Sequence, residues 1–158
     1  MPENILVCAA WPYANGSIHL GHVAGCYLPA DIFARYHRLK GNRVLMVSGS
    51  DAHGTPVTIT AEANDSTPEE VASSYQKEFL QDWDDLGISF DLFTSTHTDN
   101  HFSVAQDIFL KLYEKDFIYK DTMSQPYCED HARFLADRYV EGICPHCDSD
   151  GALSLIHI

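Results

Sequence analysis

Apolar residues run unbroken from Ile5 to Trp11 and then give way to Pro12-Tyr13-Ala14-Asn15-Gly16-Ser17. A short apolar run closed by turn-forming residues predicts a strand over Ile5–Ala10, buried on both faces, and then a loop. Leu20, Val23, Ala24, Tyr27 and Leu28 follow at helical spacing on one face. Pro29 predicts a kink or a restart, because it lacks an N–H and its ring collides with the preceding turn. The helix continues to Leu39, and Gly41 after Lys40 marks its stop. Arg43–Ser48 is a second strand. Strand, helix and strand in this order form a βαβ unit, which implies parallel pairing and a right-handed crossover.

Beyond Ser48 the alternation continues. Thr67-Pro68-Glu69-Glu70 predicts a capping box, with Thr67 as N-cap and Pro68 at the first helical position. The helix it opens runs to about Leu86 and ends at Gly87. Phe90–Thr94 predicts a third strand. Thr98 or Asp99 caps a helix through Lys115, with Phe102, Ala105, Phe109 and Leu112 on its apolar face. Phe117–Lys120 is a candidate further strand. From Tyr127 onward helical periodicity fades and cysteines appear. The pattern is that of a doubly wound α/β protein with a parallel sheet.

Composition narrows the function classes. No apolar stretch approaches the roughly 20 residues that span a bilayer, and no basic segment precedes the first one, so membrane and secretory classes are excluded. The chain carries 10 Lys and Arg against 23 Asp and Glu, a net charge of −13, which alone argues against nucleic-acid binding. The charge is uneven, however. Residues 1–60 hold three acids and four bases, whereas residues 61–100 hold ten acids and only Lys77. The amino-terminal part is therefore free to bind an anion. Of five cysteines, Cys8 and Cys26 lie in apolar runs and are expected to be small core residues. Cys128, Cys144 and Cys147 cluster near the end, where paired spacing suggests metal before disulfide.

Two clusters carry candidate chemistry. In His19-Leu20-Gly21-His22 two imidazoles lie three residues apart at the first turn of a helix that follows a strand. Backbone N–H groups and the helix dipole favour an anion there, and Gly21 keeps the backbone open to a phosphate. By themselves, two histidines on a first turn are as compatible with an exposed surface. Gly49-Ser50-Asp51-Ala52-His53-Gly54 follows the second strand, at the edge where open α/β sheets bind ligands. Asp51 suits a ligand ammonium there, although a turn or capping aspartate would look the same.

Taken together, these residues resemble the catalytic domain of the methionyl-tRNA synthetases, a class I family. The resemblance covers essentially residues 4–150. It rests on residues 10–22 (AWPYANGSIHLGH), on Ser48–Pro56 with Asp51-Ala52-His53-Gly54-Thr55-Pro56, and on residues 134–142 (FLADRYVEG) before Cys144-Pro145-His146-Cys147. The Pro-Tyr-Ala-Asn-Gly lead separates this family from the isoleucine, leucine, valine and cysteine enzymes that share the histidine motif. Other nucleotidyltransferases with that motif should lack both this lead and a zinc knuckle. A non-catalytic, synthetase-like accessory protein differs only by the absence of a signature lysine loop, which lies elsewhere in the family.

The resemblance implies a cytoplasmic methionine–tRNA ligase that uses ATP with Mg2+ and acts on tRNA. It implies that His19 and His22, with Gly21, hold the ATP phosphates. It further implies that Asp51 receives the methionine ammonium, that Tyr13 lines the amino-acid pocket, and that the main chain at Trp11 meets methionine. Cys144 and Cys147 correspond to half of a structural zinc knuckle within a connective insertion. A complete local set, Cys128-x2-His131-x12-Cys144-x2-Cys147, is the alternative. Lys120-Asp121-Thr122-Met123-Ser124 has a passing similarity to the lysine loop but lacks its second lysine, and a surface turn is expected. The expected organisation is a Rossmann half over 1–120, the start of the insertion over 121–152, and a tail over 153–158. That tail, Leu-Ser-Leu-Ile-His-Ile, equals one reading frame of a transposon-end sequencing adaptor, so the chain is expected to be a truncated reading frame, inactive alone.

Overall fold

The computed structural model describes residues 1–136, 139–144, 147–150 and the backbone of 152–153. The tail expected to be adaptor-derived lies outside these residues, except for the backbone of Leu153. So do Asp137 and Arg138 of the third motif and Pro145 and His146. The described chain divides into two compact units, Met1–Phe109 and Leu110–Ile158.

The first unit is built on a three-stranded parallel sheet, β1 (Asn4–Cys8), β2 (Arg43–Ser50) and β3 (Leu92–Ser95), in the order β1-β2-β3. Leu6 pairs with Leu45, and Val47 with Leu92. Between β1 and β2 runs one helical segment in three parts. These are α1 (Leu20–His22), a π-helical stretch (Val23–Tyr27) and α2 (Leu28–Leu39). The Leu28 N–H donates to the Val23 carbonyl, five residues back, and Pro29 follows with no N–H to donate. The wider turn absorbs the proline. It also shifts the helical register, so the face expected from Leu20 to Leu28 is broken. Tyr27 is buried, whereas Leu20 is 80 % and Leu28 41 % exposed.

Between β2 and β3 lie α3 (Thr55–Ala63) and α4 (Pro68–Leu86). The Thr67 hydroxyl accepts from the Glu70 N–H while the Glu70 carboxylate accepts from the Thr67 N–H, the expected capping box, and α4 stops at Gly87. The core gathers on one face of the sheet. Met46, Phe79 and Val57 are fully buried, and Trp83 lies 4.5 Å from Tyr27 and 5.8 Å from Phe93, ring centre to ring centre.

Among the described residues of this unit nothing covers the opposite face, which corrects the expectation of a strand buried on both sides. Leu6, Leu45 and Leu92 are each more than half exposed, and Cys8 is exposed rather than a core residue. The strand order advances in one direction, so successive crossovers of one hand lay their helices on a single face. Cys26 is partly buried against the core, as expected.

Asp31 of α2 is 4 % exposed and ties this helix to the turn after α4. It accepts from the Ser89 N–H at 2.8 Å and the Ser89 hydroxyl at 2.7 Å, and pairs with Arg35 at 2.5 Å. Burial pushes its carboxyl upward, but the Ser89 hydrogen bonds and the Arg35 charge outweigh it and hold the group below its ordinary value. A carboxylate lowered in the folded state stabilises fully above the unfolded value of about 3.9 and loses that contribution as pH falls through the lower folded value. Asp31→Ala is expected to cost about 2–4 kcal/mol at neutral pH, because it leaves the Ser89 N–H, the Ser89 hydroxyl and the Arg35 Nε–H without their acceptor. Urea unfolding checks this: the difference from the parent protein should shrink in strong acid, and a variant of parental stability at pH 7 would contradict it.

Helix α5 (Asp99–Glu114) begins at the expected cap, where the Thr98 hydroxyl accepts from the His101 N–H at 3.2 Å. None of its side chains is fully buried, and the expected apolar face is largely exposed, with Phe109 at 54 %. Residues 117–120 form no strand: among the described residues no strand pairs with them, and Phe117 and Tyr119 are 71 % and 80 % exposed. Residues 120–124 also lie outside any regular element, in keeping with a surface turn.

The second unit contains two small antiparallel hairpins. One pairs β4 (Tyr127–Cys128) with β5 (Arg133–Phe134), and the other β6 (Glu141–Gly142) with β7 (Ala152–Leu153). Among the described residues no helix is long and apolar enough to cross a membrane.

Candidate active site

Because β1, β2 and β3 are parallel, the loops that leave their carboxyl ends meet at one edge. The backbone pairing carries on past the strands. The Ala9 N–H donates to Val47 O at 3.0 Å, the Asp51 N–H to Pro12 O at 2.7 Å, and the Ala14 N–H to Asp51 O at 2.8 Å. Tyr13 and Asp51 therefore face each other in a parallel bridge. The same loop is held from behind. The Tyr27 hydroxyl donates to Ala10 O at 3.1 Å, and the Thr60 hydroxyl to Asn15 O at 3.2 Å. Burial pushes the Tyr27 phenol up to about 12, so it remains a donor at any physiological pH. Sequence reasoning placed Tyr13 and Asp51 on neighbouring loops; the structure ties them together through the main chain.

Asp51 Oδ1 accepts from the His53 N–H at 3.3 Å and from the Thr96 hydroxyl at 3.5 Å. Among the described residues nothing hydrogen-bonds Oδ2, which leaves that oxygen to a cationic ligand. Trp11 and Tyr13 are 39 % and 49 % exposed beside it. The Trp11 indole lies over Gly49, where a Cβ would come within 2.8 Å of the ring and within 2.8 Å of the Thr94 carbonyl oxygen. Only glycine fits, since the carbonyl belongs to the sheet and cannot swing aside. Gly49→Ala is expected to cost about 1–3 kcal/mol by overpacking and to displace Trp11. A lowered urea midpoint with altered tryptophan emission checks it; a variant unchanged in both would contradict this packing.

The histidine pair is arranged differently from a simple shared helix face. His19 is the N-cap, and its Nδ1 accepts from the Gly21 N–H at 3.0 Å. His22 Nδ1 accepts from the His19 N–H at 3.3 Å, so the two imidazoles form a reciprocal capping box. The rings stack with centres 3.7 Å apart. With both Nδ1 atoms accepting, the proton of each neutral ring sits on Nε2. The pair thus offers two parallel Nε2–H donors. Gly21 has a role the sequence did not reveal: a Cβ there would meet the His19 ring at 2.9 Å and force it out of the cap. No direct hydrogen bond joins the histidines to the Asp51 cluster among the described residues; the two groups share the sheet edge.

Sequence reasoning missed Thr96, Thr60 and His101, whose ring lies 6.3 Å from Trp11, and it included Gly49 in the second cluster without seeing the packing of Trp11 on it. The polar run Ser95-Thr96-His97-Thr98, just past a predicted strand, is the one signal that points to Thr96.

In the second unit the Cys144 N–H donates to Ser149 O at 3.0 Å and the Asp148 N–H to Cys144 O at 2.9 Å, closing a tight turn with both thiols on it. Cys144 is buried and Cys147 exposed. Two cysteines on such a turn fit half of a tetrahedral zinc site. Among the described residues no group of three or more potential ligands comes together. Cys128 instead lies 3.2 Å from His131 Nδ1, and that hydrogen bond holds its thiol below the usual range.

Open parallel α/β sheets bind ligands outside the carboxyl ends of their strands, and the stacked histidines and Asp51 lie on loops that leave that edge. Residues 5–155 match the family described as tRNA synthetases class I (M), and the chain belongs to that family. It is 67 % identical over 147 residues to the methionine–tRNA ligase of Thermomicrobium roseum, covering 93 % of this chain and 25 % of that protein. It is 61 % identical over 152 residues to that of Dehalococcoides mccartyi, covering 96 % of this chain and 28 % of that protein. Among solved structures, Mycobacterium tuberculosis methionyl-tRNA synthetase in complex with methionyl-adenylate superimposes with a TM-score of 0.72 at 28 % identity, over 86 % of this chain and 26 % of that one. The chain thus spans about a quarter of the length of the relatives it matches.

Proposed function

We propose that the protein is a cytoplasmic methionine–tRNA ligase. It activates methionine with ATP to methionyl-adenylate and passes the methionyl group to the 3′-terminal adenosine of tRNA. The observation that carries this is the pair of stacked imidazoles whose Nε2–H groups have no partner among the described residues, on the same sheet edge as Asp51, whose Oδ2 has none there either. In the first step a methionine carboxylate oxygen attacks the α-phosphorus of ATP, and the bond to the bridging oxygen breaks to release pyrophosphate. His19 and His22 donate to phosphate oxygens, and Gly21 keeps the His19 ring over the cap. Asp51 holds the ammonium, Tyr13 walls the side-chain pocket, and the backbone at Trp11 meets the substrate. Such transfers depend on positioning and charge stabilisation rather than covalent help.

Mg2+ would accompany the ATP phosphates and offset their charge. Zn2+ would be structural, held in part by Cys144 and Cys147 within the insertion that we place at 121–152, after a Rossmann half over 1–120. The turn that joins the two thiols supports this role.

The test is exchange of radiolabelled pyrophosphate into ATP by the full-length protein, with each amino acid supplied in turn. Exchange is expected with methionine and at background with leucine, isoleucine, valine and cysteine. A different amino acid driving exchange, or none, would overturn the assignment.

A further inference from the structure

The third strand delivers to the site a residue with no role in the scheme so far. The Thr96 N–H donates to Ser50 O at 3.0 Å, which extends the β2–β3 pairing by one residue and fixes the Thr96 backbone against the chain that leads into Asp51. Its hydroxyl oxygen accepts from the Ala52 N–H at 2.9 Å. That amide hydrogen points at the oxygen, so the hydroxyl's own single proton must point elsewhere. The acceptor in reach is Asp51 Oδ1, at 3.5 Å. Hydrogen bonds at such sites are often long without substrate and tighten only around it. The His53 N–H approaches the same oxygen at 3.3 Å. Both donors therefore converge on Oδ1, and neither touches Oδ2.

We infer that Thr96 is a positioning residue for Asp51: its hydroxyl, polarised by the Ala52 N–H, locks the carboxylate rotamer so that Oδ2 faces the substrate ammonium. The inference rests on the assignment of Asp51 to the ammonium. The backbone of Asp51 is already fixed by Pro12 and Ala14 on one side. The side-chain torsion is the remaining freedom, and Thr96 is the only side chain among the described residues that donates to it. A valine there would keep the branched shape, remove the donor and strand the Ala52 N–H. A serine would keep both bonds.

The experiment compares equilibrium binding of methionine and of its deaminated analogue, 4-(methylthio)butanoate, to the full-length protein and its Thr96 variants. The analogue lacks the ammonium, so it reports on the pocket but not on Asp51. Thr96→Val is expected to weaken methionine binding about tenfold while leaving analogue binding within about twofold, and Thr96→Ser should restore the methionine affinity. If the valine variant does not fold, Thr96→Cys, a weaker donor of similar size, should show the same selective loss on a smaller scale. Equal weakening of both ligands would mean a purely structural role and would overturn the inference, as would no weakening of methionine. Asp51→Ala separates the two levels. If it selectively loses methionine while Thr96→Val does not, the Thr96 inference fails and the Asp51 assignment stands. If Asp51→Ala binds methionine as the parent does, the assignment itself fails.

Discussion

His22→Ala in the full-length protein is expected to slow formation of methionyl-adenylate by roughly 10²–10³-fold, with methionine affinity changed by no more than about twofold. Negative charge builds on the phosphate oxygens as the pentacoordinate state forms, and a fixed donor is worth most there. Removing His22 deletes one Nε2–H donor. It also frees the His19 N–H that His22 Nδ1 caps at 3.3 Å and removes the ring stacked on His19 at 3.7 Å. The loss should therefore exceed that of an isolated donor and fall on the rate rather than on methionine binding. Rapid-quench measurement of adenylate under single-turnover conditions separates the two. A large loss of methionine affinity with an unchanged rate at saturation would contradict the division of roles.

The second large effect concerns the ammonium. Asp51→Ala is expected to weaken methionine binding by about 30-fold or more, because truncating one partner of a buried charge pair costs roughly 2–5 kcal/mol. The backbone bonds to Pro12 and Ala14 survive the change, so the loop should keep its course. ATP affinity, which depends on the histidine edge, should stay close to that of the parent. Equilibrium dialysis with each substrate separately checks both statements, and comparable losses for methionine and ATP would count against them.

Much of this was legible in the residue pattern. Thr67 and Glu70 announce the start of α4, and Gly87 its end, because capping is a local interaction written in neighbouring residues. Parallel pairing of β1 with β2 follows from the helix between them. What depended on distant contacts was not legible. Pro29 announces an irregularity, but the π-helical form it takes, which throws Leu20 and Leu28 out of register, shows in no periodicity. Cys8 sits in an apolar run yet is exposed, because burial of a strand depends on which faces the helices cover. The run Phe117–Lys120 has strand-like residues but, among the described residues, no strand beside it. At the site, the motif supplied the histidines and Asp51. The tautomer of each ring is set by cap geometry within three residues, which a motif does not spell out, whereas the packing of Trp11 on Gly49 and the approach of Thr96 to Asp51 arise from chain segments far apart in sequence.

The central claim is that one sheet edge holds phosphate through His19 and His22 and the amino group through Asp51. A crystal structure of the full-length protein with a non-hydrolysable methionyl-adenylate analogue tests it most directly. The predicted result places the phosphate-mimicking oxygens within about 2.7–3.2 Å of Nε2 of His19 and His22, and the ammonium within the same distance of Asp51 Oδ2. An analogue bound with its phosphate mimic away from both imidazoles, or its ammonium held by another carboxylate, would contradict the claim.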